Sequence, residues 1–535
     1  MNAGDLIIKL AMLLAFFGVM VYVGFYCRKH STDVNGFVLG GRNVGPWLTA
    51  FAYGTSYFSA VIFVGYAGQF GWKFGIASTW IGIGNAMIGS LLAWVILGRR
   101  TRIMTQALSS ATMPDFFSKR YLSPSLKVAA SIVIFIFMIP YTASLYNGLS
   151  RLFGMAFDID YSVCVIVMAV LTAVYVIVGG YMATAVNDFI QGIIMLVGIV
   201  AVILAVLSKN GGIMGSLNGL AAVNDATIPN GNINGIFNSF FGPDPKSLIG
   251  VVILTSLGTW GLPQMIGKFY AIKSEGAIHK GTVISTIFAM IVAGGCYFLG
   301  GFGRLFSEQI GTKLNDAGQI VPVGGYDNVI PTMLSGLTPF LLAVVIILVL
   351  SASMSTLSSL VLTSSSTMTL DLIKDRFVKD MDEKKQLTIM RSLIVVFIVI
   401  SAALAIVQAN SSVAFIAQAM GVSWGAMAGA FLAPFLYGLY WKRATANACW
   451  ASMIFSSVFM IIDMLVNLKV LTLNLGFLAS PINAGAFCMI AGLVLVPLVS
   501  LISKAPPKAD VDRLFASYER KVTVRAKDSI ETSEE

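Results

Sequence analysis

The chain is 535 residues long, with 57% hydrophobic residues, only 11% charged residues and a formal net charge of +10. Soluble domains carry about 45–50% apolar and about 25% charged residues, so this chain has less than half the charge that a soluble surface of its size requires. That excludes a soluble enzyme, a nucleic-acid-binding domain and a disordered chain. What remains is a polytopic protein of the lipid bilayer, with no nucleic acid as partner.

A spanning helix needs about 20 mostly apolar residues. Thirteen apolar segments are read along the chain: 5–26, 47–71, 74–97, 127–153, 161–180, 186–207, 247–270, 281–302, 332–370, 389–408, 411–440, 446–468 and 482–503. The first is too long for the apolar part of a secretory leader and lacks a basic start, so it reads as a retained span. The stretch 332–370 exceeds one span and predicts a helix, a break and a tilted span. The tail 504–535 is polar and charged and reads as a short cytoplasmic extension.

With the N-terminus outside and the spans alternating, 27 of the 35 lysines and arginines fall in the inside connectors and tail, Lys268 among them. A missed span would reverse every later loop and destroy this asymmetry. The expectation is a multi-pass protein of the cell (inner or plasma) membrane, N-terminus outside and C-terminus cytoplasmic. The long polar loops 208–246 and 303–331 then lie outside. Five scattered cysteines form no CxxC pair, and His30 and His279 sit in polar connectors where solvation is expected. Zinc and iron–sulfur sites have no basis here. No GxxxxGK[ST] and no nucleophile–base set is visible. Neither an ATP-driven pump nor an enzyme is therefore expected, and no cofactor.

Three spans and one junction depart from plain apolar helix. In the second span, Gly54, Thr55, Ser56, Tyr57 and Ser59 place glycine and hydroxyls early, with Gly65, Gly68 and Gly71 behind them. Such residues either let a helix open at membrane depth or let it pack closely. In the seventh span, Gly258, Gly261, Pro263 and Gly267 crowd one helix, which predicts a break rather than a simple proline kink. In the ninth, Ser355, Thr356, Ser359 and Thr363 keep to one broad face, with Ala352 a turn earlier. They either bond their own i−4 carbonyls or offer neutral oxygens to a hard monovalent cation. At the fifth-to-sixth junction Asp188 and Gln191 stand a turn apart. The acid caps a helix or serves as an intramembrane functional group.

The two interrupted helices recur at corresponding places. Residues 1–46 carry a leading helix and an inside loop. Two five-span blocks, 47–207 and 247–440, then flank the outside loop 208–246, and 441–503 adds two peripheral spans before the tail 504–535. Five is odd, so the second block is inverted. Paired broken helices in inverted repeats point to a transport site near the midplane. The predicted fold class is thus all-α, with about 13 transmembrane helices in an inverted five-plus-five repeat and extra peripheral helices.

Several stretches now carry a resemblance: FVLGGRNVGPWLTAFAYGTS (37–56), MPDFFSKRY (113–121), YVIVGGYMATAVNDFIQ (175–191), LPQMIGKFYA (262–271), SASMSTLSS (351–359) and SKAPPKADVDRLF (503–515). Over nearly its whole length the chain resembles the sodium:solute symporter family, closest to its proline-permease-like branch. The resemblance implies the leucine-transporter-like fold and Na+ as coupling ion. It also implies a sodium site made by the carbonyls of Thr55, Phe58 and Ala352 and the hydroxyls of Ser355 and Thr356. It makes Asp188 a residue of the ion path. Tyr57, Ser59, Tyr141, Thr255, Thr259, Trp260 and Gln264 are the candidate solute contacts, between the broken helices.

The chain departs from the proline pattern in the second span, with Tyr57 and Val61 in place of an acid and an indole. It departs again in the seventh, with Thr255 and Thr259 in place of aromatics. The function expected is sodium-coupled import of a small organic solute, an amino acid such as proline or a small carboxylate, by alternating access. The alternatives are a proton-coupled transporter of the same fold and a non-transporting solute sensor or channel.

Overall fold

The computed structural model describes residues 3–519 apart from 158, 316, 379 and 409–414. It is almost wholly helical. A short hairpin, β1 (Thr312–Leu314) with β2 (Ile320–Pro322), is the only sheet among the described residues. The leading helix α1 (Ala3–Cys27) is followed by α2 (Pro46–Tyr57), with proline in its first turn where no amide is missed. A wide π-helical stretch, Val61–Tyr66, leads into α3 (Ala67–Phe74). The chain turns at Gly75 (φ 62°), where a Cβ would meet the Phe237 carbonyl at 2.1 Å. It then runs through a second π-helical stretch, Asn85–Leu92.

Next come α4 (Pro124–Phe157) and α5 (Tyr161–Ser208). The broken pair is α6 (Pro245–Leu257) and α7 (Pro263–Ala271), bent by 40°. Then follow α8 (Glu275–Gly300), α9 (Pro339–Thr367), α10 (Glu383–Gln408), α11 (Phe415–Tyr440), α12 (Ala446–Asn467) and α13 (Pro481–Ile502). A short tail helix, α14 (Lys508–Phe515), ends the main elements.

Among the described residues, ten helices are long and apolar enough to cross a membrane, or eleven with the bent pair as one span. The thirteen apolar segments distribute unevenly over them. Segments 161–180 and 186–207 both fall within α5, as two helices divided at Gly180, whose backbone is non-helical (φ 54°, ψ −150°). The second segment is divided between α2 and α3. The stretch 332–370 holds the end of a short helix (Val329–Ser335), an interruption and then α9, the division its length requires.

Burial sorts the helices into centre and periphery. From Leu342 to Thr367, α9 is buried on nearly every side. By contrast α1 buries one stripe, Leu13, Phe16, Met20, Val23 and Cys27, at the three- and four-residue spacing of a single helical face. Its other apolar residues, such as Ile7, Leu14 and Tyr22, are exposed, as are Val494, Leu498 and Ile502 of α13. An apolar outside over a hydroxyl-rich inside suits a lipid solvent and not water. His30 and His279 are exposed, as their connectors predicted.

Two contacts fix which loops share an end. Val44 accepts from the Lys273 amide at 3.0 Å and donates to the Ala271 carbonyl at 3.1 Å. The start of α2 therefore lies beside the end of α7, and the two interrupted helices run in opposite directions. At the other end, Arg304 reaches from loop 303–331 to Asp225 of loop 208–246 at 2.9 Å. Its guanidinium also covers the Trp72 and Phe237 rings.

Several basic residues used to orient the spans are thus not free surface charges. Arg304 is buried in this clamp. Arg120 is buried against the carbonyls of Gly438 (2.7 Å) and Trp441 (2.9 Å) at the end of α11. Lys268, taken as a connector residue, is buried inside α7.

The loop clamp has a pH signature. Burial alone would raise the Asp225 carboxyl, but the Thr227 hydroxyl and amide and the Arg304 guanidinium outweigh it and hold the group below the usual carboxylate range. Its contribution to stability is complete above the unfolded value, about 3.9, and is lost as pH falls through the lower native value. Asp225→Asn is therefore expected to lower the melting temperature of the purified protein at neutral pH. The gap to wild type should close as pH falls below about 4. A gap that stays constant over that range would show that the ion pair contributes nothing.

Candidate functional site

The first break is two residues long. α2 ends at Tyr57, and Phe58 is extended (φ −96°, ψ 119°). Ser59 opens the next helical stretch as its cap, its Oγ accepting from the Val61 amide at 3.2 Å. The Ile62 and Phe63 amides both close on the Ser59 carbonyl at 3.0 Å, and not on that of Phe58. Thr55, Ser56, Tyr57, Phe58 and Ser59 are all buried.

α9 lies against this break. Ser355 Oγ donates to the Thr55 carbonyl at 3.0 Å and lies 3.1 Å from the Ala352 carbonyl. Thr356 Oγ1 reaches the same two oxygens at 3.2 and 3.1 Å. Bonds to Ala352 are ordinary back-bonding within a helix. Bonds to Thr55, about three hundred residues away, are not: they tie the broken helix to the central one. Four of the five candidate sodium ligands thus converge, and Phe58 sits in the adjoining break. Two carbonyls and two hydroxyls offer neutral oxygens and no charge, which suits a hard monovalent cation.

One turn further, Ser56 Oγ and Ser359 Oγ are 2.7 Å apart. Lys268 Nζ donates to Ser359 Oγ at 3.0 Å and lies 3.7 Å from Asp188 Oδ2. Asp188 does not cap a helix end: it lies well inside α5 and is fully buried. A cavity of about 50 Å³ continues from here, lined by Gln264, Lys268, Ser359, Thr363, Tyr181 and Thr184. It shares Leu39, Ala111 and Thr112 with a wider polar cavity of about 650 Å³ that holds Arg42, Asp115, Lys127, Asp371 and Asp375. Lys127 binds Asp115 at 2.9 Å and Asp375 at 2.6 Å, and lies 3.6 Å from Asp371. A continuous polar line therefore leads from the oxygen cluster to the end where α2 begins.

The candidate solute contacts separate into four places. Tyr57 and Tyr141 come together around Trp424: the Tyr57 ring stacks on the indole at 5.6 Å, and the Tyr141 ring meets it edge-on at 5.9 Å. The Tyr57 hydroxyl donates to the Thr255 carbonyl at 2.6 Å. Thr255, Thr259 and Trp260 instead fasten the seventh span to the π-helical stretch Asn85–Leu92. Thr255 Oγ1 lies 2.8 Å from Asn85 Oδ1, Thr259 Oγ1 donates to the Gly89 carbonyl at 3.0 Å, and Trp260 Nε1 donates to the Ile88 carbonyl at 3.0 Å. A π-helix spaces its carbonyls widely enough to accept such side chains. Gln264 faces the small cavity beside Lys268, with neither amide atom hydrogen-bonded among the described residues. Ser59 caps the second half-helix.

Three residues of this region escaped the sequence reading. Trp424 is the lone indole of a Gly/Ala-rich span, GVSWGAMAGA, and Asn85 a lone amide in an apolar one; each was a visible polar exception. Lys268 was hidden by its place at a predicted span edge.

A helix broken at membrane depth, set beside a hydroxyl-lined central helix, is the architecture of a secondary transporter. The model of the sodium:solute symporter family matches residues 37–456, and the chain belongs to that family. It is a multi-pass membrane transporter and not an enzyme. It is 30% identical over 523 residues to an osmoregulated proline transporter of Bacillus subtilis (strain 168), covering 96% of this chain and 98% of that one. It is also 30% identical over 461 residues to a sodium/proline symporter of Staphylococcus aureus (strain JH9), covering 84% and 85%. Among solved structures, a Na+-coupled sialic acid symporter in a substrate-bound outward-open state shares the fold. Its TM-score is 0.74 at 17% identity, over 93% of this chain and 98% of that one.

Proposed function

We propose that the chain imports a small organic solute with sodium, by alternating access, through thirteen spans arranged as an inverted five-plus-five repeat with peripheral helices. The N-terminus lies outside and the C-terminus inside the cell membrane. The observation that carries the reading is the convergence of the Thr55 and Ala352 carbonyls with the Ser355 and Thr356 hydroxyls within 3.2 Å. Sodium takes these oxygens and the Phe58 carbonyl, the hydroxyl protons turning away so that lone pairs face the ion. Bound there, it holds α2 against α9 and favours the state that completes the solute pocket. Sodium and solute then raise each other's affinity by one shared coupling energy. An inside-negative potential adds about 2.3 kcal/mol per charge per 100 mV.

The solute pocket is the aromatic cage of Tyr57, Tyr141 and Trp424 beside the break. The Trp424 Nε1–H and the Tyr141 hydroxyl lie in that cage without a well-formed hydrogen bond among the described residues. With the amides that open the second half-helix after Ser59, they suit the carboxylate of an amino acid or small organic acid. Proline heads the solutes to be tried, since both relatives are proline transporters by name. Asp188 lies on the ion's way inward.

The test is uptake into proteoliposomes of labelled proline, other amino acids and small carboxylates. It is run under a sodium gradient at constant pH, and under a pH gradient without sodium. Accumulation of at least one solute under sodium alone is the expected result. Accumulation that follows pH, or none of any solute, would overturn the reading.

A further inference from the structure

Lys268 lies on α7, the half-helix after the second break, and is 3% exposed. An ammonium is a compact, strongly hydrated point charge with three donors, and burying one is costly unless partners replace the water. Its partners here are Ser359 Oγ at 3.0 Å, Asp188 Oδ2 at 3.7 Å and the face of the Tyr181 ring at 5.3 Å. At 3.7 Å the carboxylate is attracted by the ammonium without being hydrogen-bonded to it. Neither Asp188 oxygen has a hydrogen-bond donor among the described residues. Ser359 in turn bonds Ser56, the neighbour of Thr55, and follows Ser355 by one turn on the same face of α9.

One buried carboxylate and two hydroxyls therefore converge directly beneath the neutral oxygen cluster. Oxygens of this kind hold hard cations, and the positive charge set against them belongs to the chain itself. We infer that Lys268 is a tethered counter-cation. Its ammonium stands where a metal ion would otherwise sit, against Asp188 and Ser359, and so limits the transporter to one bound sodium. It is a specificity-determining residue: it sets how many ions accompany each solute. The inference rests on the sodium reading of the cluster above it.

The experiment is equilibrium binding of radioactive sodium to the purified full-length protein, read as ions per chain at saturation. Wild type is expected to bind one. Lys268→Met leaves the Asp188 charge without its counter-ion and is expected to bind two, a twofold rise. Lys268→Arg keeps the charge and should bind one, as should the double variant Lys268→Met with Asp188→Asn. Should the methionine variant not fold, Lys268→Gln, whose amide can still reach Ser359, is measured in its place with the same expectation of two. One ion in both wild type and the neutral Lys268 variant would overturn the counter-cation role alone. Wild type without bound sodium would overturn the coupling reading beneath it.

Discussion

Replacing both hydroxyls of the central helix, Ser355→Ala with Thr356→Ala, is expected to abolish sodium-stimulated uptake while leaving a folded protein. In the proposed site each hydroxyl contributes one of five oxygens to the ion, and in the structure each bonds the Thr55 carbonyl. Hydrogen bonds to charged groups are worth about 1.5–3 kcal/mol each. Taking that as the scale for each lost oxygen contact, the pair costs about 3–6 kcal/mol. The sodium concentration for half-maximal uptake then rises by about two to four orders of magnitude. The fold survives because the helical carbonyl of Ala352 keeps its backbone partner and the cavities left are small. Ser358→Ala is the control: its hydroxyl donates to the Ser355 carbonyl of its own helix at 2.9 Å and not to α2. Its sodium dependence should match wild type. Undiminished sodium dependence in the double variant would sink the ligand assignment.

What the sequence disclosed of this region follows from what each residue does. Ser355 and Thr356 were legible because hydroxyls on an apolar helix are exceptions to their surroundings. Their spacing put them on one face, and the structure sets that face against the first break. The breaks were legible for a local reason. Pro263 cannot extend a helix from its N-terminal side, and the residues around Ser59 prefer caps to helix interior. The shortness of the link inside α5 was not legible. One non-helical residue, Gly180 (φ 54°, ψ −150°), divides its two helices, and apolar composition does not show how few residues a link needs.

The solute contacts were the least legible, because they depend on pairings across the bundle. Thr255 and Thr259 looked like pocket residues from their place beside a break. Whether a buried hydroxyl meets a ligand or a carbonyl depends on its neighbour, and the π-helical stretch Asn85–Leu92 supplies the carbonyls. Nothing in that stretch's composition marks it as π-helical. Lys268 was misjudged for a related reason. Charge counts assume that basic residues are solvated, yet this one is matched by Asp188, eighty positions earlier. A buried ion pair cancels in any reading that takes one residue at a time.

Adding a single methyl group at the crossing of α3 and α8 is expected to prevent folding altogether. A Cβ at Gly71 would lie 1.9 Å from the Gly300 carbonyl oxygen, and a Cβ at Gly300 would lie 2.1 Å from the Ala67 carbonyl oxygen. Both obstacles are backbone, so no rotamer change relieves them. Parting the helices would open the contact that small residues exist to allow. Gly71→Ala is therefore expected to yield no monodisperse protein on size-exclusion chromatography. Gly276→Ala, in the first turn of α8 and with nothing among the described residues within 4 Å of the new carbon, is the matched control. It should fold and gain up to about 1 kcal/mol from helix propensity. Equal yields of the two variants would show that the crossing is not close-packed. The crossing matters beyond stability because α3 continues the half-helix that Ser59 caps. Its backbone contact with α8 fixes where that half-helix begins, and so where the break at Phe58 presents its carbonyl.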